Sequence, residues 1–147
     1  MKEDKILKIY CDGGARGNPG PAAAAFLVFE NNKVIYRKAI FLGKRTNNFS
    51  EHTAVYLAFN WLLKNYHPSV ISKIIFYIDS ELVVNQLRGV YKTKNKILKT
   101  LVLKTKEIEK VFGYKVYYNH IKRSENKFAD SLVNKALDEK LKNFTLA

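Results

Sequence analysis

The stretch "KIIFYID" at residues 73–79 constrains the fold more than any other. Its five central residues are all apolar or aromatic, and the run ends abruptly on an acid. A run this short and this continuous reads as a strand covered on both faces rather than as one side of an amphipathic helix. Such a strand needs elements above and below it, so the rest of the chain must supply the cover.

The flanking segments fit that requirement. "KILKIYC" (5–11) reads as a first strand that stops at Asp12. "AAAAFLVFE" (22–30) and "KVIYRKAIFL" (33–42) surround Asn31 and Asn32. Asparagine tolerates the positive φ of a two-residue turn, so these two runs read as an antiparallel hairpin. From Thr46 to Pro68, apolar or small residues at 54, 57, 58, 61 and 62 have helical spacing, and the proline marks the end. Residues 80–89 read as a short helix between Ser80 and Gly89, and 95–113 as a lysine-rich amphipathic helix closed by glycine. Residues 114–121 read as a fifth strand and 124–141 as a final helix. The order is βββαβααβα in one domain, residues 1–147. It predicts a mixed sheet in which the helix-separated strands run parallel through right-handed crossovers.

At 147 residues and 47% apolar, the chain can bury an ordinary core. The longest apolar runs are too short to span a bilayer, no secretory pattern is visible at "MKEDK", and Cys11 is the only cysteine. A cytoplasmic, monomeric protein without membrane partners is the expectation. The formal charge is +13, and it is unevenly placed. Residues 88–127 carry twelve Lys/Arg against three acids, which leaves +9 of the +13 in 40 residues. Two readings stand: a polyanionic partner such as nucleic acid, or a generic solubility charge.

The acids narrow the choice. Asp12 and Asp79 each close a buried-type strand. If those strands are parallel neighbours, about 4.8 Å apart, the carboxylates face each other and repel unless a cation lies between them. Either one alone reads equally as a loop or cap residue. Glu51 falls in the first turn of the long helix, where helix-dipole complementarity is the plainer explanation. Asp130 borders the apolar stripe of the last helix, whereas Asp138 and Glu139 look solvated. Oxygen donors without a Cys/His pattern point to Mg²⁺ or Mn²⁺ rather than zinc.

The motifs "YCDGGARGNPGPAA", "TNNFSEHTAVYLA", "IDSELVVNQL" and "RSENKFADSLVNKAL" follow one another over residues 5–140. In kind and order they resemble the type 1 ribonuclease H family. The resemblance implies an α/β fold, with a mixed five-stranded sheet made of a three-strand antiparallel meander plus parallel strands and helices on both faces. It implies hydrolysis of the RNA strand of RNA–DNA hybrids, leaving 5′-phosphate and 3′-hydroxyl ends, with duplex RNA as an open second substrate. The family's metal ligands fall on Asp12, Glu51, Asp79 and Asp130, holding two Mg²⁺ ions, or Mn²⁺ in their place. Two such ions, about 3.5–4 Å apart, activate a water and stabilise the leaving oxygen. Asp12 would bridge them, and Glu51 is also a candidate contact to the 2′-OH.

Further positions carry over one by one. Gly13, Gly14, Arg16 and Asn18 match the loop that meets RNA, and the glycines read as leaving its backbone open to close approach. Thr46, Asn47 and Asn48 match positions that touch the hybrid, with helix capping as the alternative for this group. Lys94 and Asn95 lie in "GVYKTKNK" (89–96), which stands where some members insert an extra basic helix, so this is a compact form. His120 has the offset of a proton-carrying histidine but follows "YYN" directly and also reads as a strand end. Arg123 is better placed on the loop, as a helper at phosphate or metal. Two other readings stay open: a DNA-directed nuclease or resolvase of the same fold, and a non-catalytic nucleic-acid-binding domain.

If the lysines of 88–127 meet phosphates, hybrid affinity falls steeply with salt. The logarithmic slope is about −0.9 per phosphate neutralised on a B-form duplex. A binding titration across salt concentrations measures it, and a flat profile would separate the charge from the function.

Overall fold

The computed structural model describes residues 5–146, with side chains described through residue 142. Five strands form one sheet: β1 (Lys5–Ala15), β2 (Gly20–Glu30), β3 (Lys33–Arg45), β4 (Ile71–Ile78) and β5 (Val116–His120). Four helices complete it: α1 (Asn47–Asn65), α2 (Glu81–Leu87), α3 (Lys96–Phe112) and α4 (Lys127–Leu146). The sheet order is β3-β2-β1-β4-β5. The first three strands form an antiparallel meander, and β4 pairs parallel with both β1 and β5. This is the mixed sheet that the order of elements predicts.

Local chemistry accounts for the boundaries. Asn31 and Asn32 both take positive φ in the β2–β3 turn. Thr46, Ser80 and Asn95 cap α1, α2 and α3, each side chain accepting from a backbone N–H near 3.1–3.3 or 3.0 Å. Gly113 ends α3 at φ 64. The four alanines of β2 point alternately to the two faces. Ala24 belongs to the core beneath α1 with Leu7, Ile9, Phe26, Phe59 and Phe76. Ala23 and Ala25 meet Val133 and Leu137 of α4 on the other face. Small side chains let a helix lie close on each side. No helix among the described residues is long and apolar enough to cross a membrane.

Boundaries differ from the sequence reading in several places. β1 does not stop at residue 11. It runs on to Ala15 because Asp12–Ala15 still pair with Ala25–Ala22 of β2, whereas pairing with β4 ends at Cys11 and Ile78. β5 begins only at Val116, since Gly113–Lys115 form a single 3-10 turn. The last helix begins at Lys127, after a 3-10 turn over Arg123–Glu125 in which the Lys122 N–H donates to the Glu125 carboxylate at 3.1 Å. Phe144 and Leu146, whose apolar character leaves docking on the core or fraying as the two readings of the tail, lie outside the described side chains.

The cover on β4 is also unequal. Ile74, Phe76 and Ile78 pack beneath α1 with the main core. On the opposite face, which carries Ile75 and Tyr77, α4 rests mainly on β1, β2 and β3. Aromatic neighbours do the covering there, with Tyr10 and Tyr77 stacked at 4.7 Å.

The glycines after Asp12 serve the fold. A Cβ on Gly13 would stand 2.3 Å from the Ser50 carbonyl carbon and 2.4 Å from the Glu51 nitrogen. One on Gly20 would stand 2.1 Å from the Arg16 carbonyl oxygen. At both positions the space a Cβ would take is filled by the protein's own backbone, while Gly13 and Gly14 still line an open cleft. Gly13→Ala therefore forces α1 off β1. We expect a loss of about 3 kcal/mol or more, read by urea denaturation, because both clashing partners are backbone.

Candidate active site

Four acids from four elements line one cleft of about 240 Å³: Asp12, Glu51, Asp79 and Asp130. The parallel register sets the first pair. Cys11 lies opposite Ile78, so Asp12, still on β1, and Asp79, just past the end of β4, are the next residues along. Glu51 arrives because α1 descends onto Gly13. Asp130 sits in the first turn of α4.

Asn126 binds these parts together. Its Nδ2 donates to the Cys11 carbonyl at 2.8 Å and to Asp79 Oδ2 at 3.0 Å. Its own carbonyl accepts from the Asp130 N–H at 3.1 Å. The residue is 1% exposed, and its Oδ1 is buried with no hydrogen-bond partner. Sequence reasoning missed it. Its only signal was an asparagine directly ahead of a helix, which looks like routine capping.

The electrostatics are strained. Burial, then the charges of Asp79, Asp130 and Glu51, push the Asp12 carboxyl up to about 8, against a backbone hydrogen bond from Gly13. Burial and Asp79 push Glu51 up to about 7, against a Ser80 hydrogen bond and the Arg123 charge. Among the described residues none of the four acids has a cationic side chain within ion-pair distance. Nor do three Asp, Glu, His or Cys side chains stand close enough to enclose an ion as they are. The fit to a divalent cation rests on the donor chemistry: hard carboxylate oxygens whose mutual repulsion lacks a counter-charge. Mg²⁺ suits an open arrangement, since it keeps several waters and takes one or two carboxylates rather than a complete protein cage. Cys11 is buried on the core side with its thiol pushed up, so it offers no thiolate.

The other expected residues divide. Gly13, Gly14, Arg16, Asn47 and Arg123 line the acid cleft. Asn18, Thr46, Asn48 and Asn95 line a neighbouring cleft of about 450 Å³ with Lys44 and Arg45. Lys94 lines a third groove with Lys92 and Lys99. Asn47 joins the first two, since its Oδ1 accepts from the Ala15 N–H at 2.8 Å and its N–H donates to Asn18 Oδ1 at 2.9 Å. Thr46 does cap α1, as one reading had it. His120 is the last residue of β5, exposed and opposite Ile78, and does not line the acid cleft. Asp138 is exposed, as expected, and pairs at the surface with Arg16 at 2.6 Å.

Comparison with known proteins adds family context. The reverse transcriptase-like family matches residues 10–136. A Mycobacterium tuberculosis protein named as bifunctional is 30% identical over 132 residues, 88% of this chain but 35% of that protein. A Halobacterium salinarum protein named ribonuclease HI is 33% identical over 88% of this chain and 63% of its own length. The chain thus spans about a third of the mycobacterial relative. Among solved structures, an RNase H1 called LC11, in complex with an RNA/DNA hybrid, superposes with TM-score 0.86 at 36% identity. That match covers 92% of this chain and 99% of the other. The Halobacterium salinarum RNase H1 structure gives TM-score 0.82 at 30% identity, over 91% and 98% of the two chains.

The raised carboxyls set a pH dependence of stability. Asp12 holds its proton more tightly folded than unfolded, so its contribution is full below the unfolded value near 4 and is lost as pH rises through about 8. In a chelator, the melting temperature should fall between pH 5 and 8.5 (a window of about that width). Asp12→Asn should flatten the fall and stabilise the chain at pH 8 by on the order of 1–3 kcal/mol. Thermal melts of both proteins across pH test this.

Proposed function

The chain belongs to the reverse transcriptase-like family in its ribonuclease H form, and from that premise we propose that it is a metal-dependent endonuclease cutting the RNA strand of RNA–DNA hybrids. The observation that carries the reading is the convergence of Asp12, Glu51, Asp79 and Asp130 on one cleft in a chain of charge +13. The relative solved with a hybrid bound supports the substrate class.

In this reading Asp12, Glu51, Asp79 and Asp130 would hold two Mg²⁺ ions: Asp12 would serve both, Asp79 and Glu51 one each, and Asp130 the one that activates water. When bound, the ions supply Lewis-acid activation of a water and neutralise charge on the scissile phosphate. The chain's own residues set the stage for that step. Asn126 holds the Asp79 carboxylate in place by donating to its Oδ2. Ser80 and Arg123 favour the ionised form of Glu51. Arg123 stays cationic at neutral pH and can stabilise negative charge on phosphate.

Substrate is held along the same face. Asn18, Thr46 and Asn48, with Lys44 and Arg45 beside them, form a polar and basic cleft suited to a backbone phosphate. Lys92, Lys94 and Lys99 extend the basic surface. The 2′-OH groups that mark RNA would be met near Gly13–Arg16 and Glu51, which line the acid cleft. Cleavage would leave 5′-phosphate and 3′-hydroxyl ends.

Asp79→Asn should lower hybrid cleavage in Mg²⁺ by at least about a hundredfold, given that even residues behind a metal ligand cost 10–100-fold, while hybrid binding persists. Hybrid, duplex RNA, duplex DNA and a four-way junction should be assayed together. Undiminished turnover in the variant would refute the assignment of the acids. Preference for the junction would favour a resolvase, and tight hybrid binding without cleavage in Mg²⁺ or Mn²⁺ a binding domain.

A further inference from the structure

We propose that the β4–β5 half of the sheet, on the face that α4 covers mainly over β2 and β3, is a second nucleic-acid site, one that binds single strands by base stacking. On β1, Ile6, Lys8 and Tyr10 alternate with core residues Leu7, Ile9 and Cys11. Their parallel partners on β4 are Lys73, Ile75 and Tyr77, and Ile75 in turn pairs with Tyr117 of β5. These side chains share the face opposite the main core, below the line where α4 crosses.

The face is aromatic beyond what packing requires. Tyr10 stacks on Tyr77 at 4.7 Å and meets the edge of Phe29 at 5.6 Å. Tyr117 is 47% exposed and Phe128 75% exposed. Tyr10, Phe29 and Phe128 line a shallow groove. Rings held in place by neighbours and open on one side are platforms for bases, and such stacking is tolerant of sequence.

Charge selects the occupant. Lys73 Nζ lies 4.9 Å over the Tyr117 ring, and Lys8 projects from the same face beside Asn32, its Nζ donating to Asn32 Oδ1 at 3.1 Å. Glu125, on the groove's rim, is the acid that lines it. Lysines set among aromatic rings, in a chain of +13, complement a flexible polyanion with exposed bases. A duplex offers no base faces to stack on, so the partner is a single strand. The groove also contains Asn126, the residue bonded to Asp79, so a strand lying here leads towards the acid cleft.

This inference stands apart from the hydrolase reading and is tested without metal. A short fluorescein-labelled oligo(dT) is titrated with the full chain in chelator, with fluorescence anisotropy as readout. Tyr117→Ala and Lys73→Glu should each weaken binding, the first by at least about fivefold, the lower bound for one stacked base. Tyr117→Phe, which keeps the ring, should bind as wild type. A blunt RNA–DNA hybrid in excess should leave the labelled strand bound, and Tyr117→Ala should leave hybrid affinity unchanged. If the chain does not bind hybrid at all, the oligo(dT) measurement still reads. Equal affinity of wild type and Tyr117→Ala for oligo(dT) would overturn the proposal. So would complete displacement by hybrid, or a dimer by light scattering that Tyr117→Ala dissociates, which would give the face to a second copy.

Discussion

The contact on which the site depends is between two stretches of backbone. α1 lies so close to β1 that Gly13 has no room for a Cβ against Ser50 and Glu51. That approach sets the depth at which the whole helix sits on the sheet, and the core beneath it is built to match, with alanine at 54 and 58 and Phe59 wedged against Phe76. It also delivers Glu51 beside a strand that already carries Asp12. A side chain at position 13 would lift the helix and the carboxylate together, so the packing of the fold and the composition of the site are one constraint.

A second constraint is the gathering of like charges. Burial raises Asp12 and Glu51, and the neighbouring acids raise Asp12 further. Such an arrangement opposes folding and persists only because the surroundings over-determine it. The parallel register fixes Asp12 beside Asp79, and Asn126 ties β1, Asp79 and the start of α4 with two side-chain bonds and one backbone bond. Under the proposed reading the strain has a functional sense: a divalent cation among the carboxylates would offset their repulsion and add stability on binding.

The sheet's two faces then divide the work. One is sealed by α1 and α3 over a large apolar core. The other carries α4 over the alanines of β2 and leaves β4 and β5 with tyrosines and lysines. Basic residues also line two further clefts, Lys44 and Arg45 in one and Lys92, Lys94 and Lys99 in the other.

Much of this was legible in the sequence. Periodicity, the Asn31–Asn32 turn and the capping residues gave the element order, because those signals are local and each has its own short-range cause. The four acids were legible as well: two closed apolar strands, and the order of motifs picked out the other two. Four things were decided only by the tertiary structure. Gly13 is in contact with a helix 37 residues on (Ser50), a partner that no local signal names. Asp12 lies inside β1 because β2 keeps pairing with it after β4 has turned away. Asn126 looked like an ordinary cap until Asp79 and Cys11 came within reach of its amide. The run at 73–79 was apolar for two reasons, one face buried under α1 and the other shielded by stacked rings. Sequence determines what is set by spacing and backbone preference; the fold alone determines which distant groups share a hydrogen bond, a charge or a van der Waals gap.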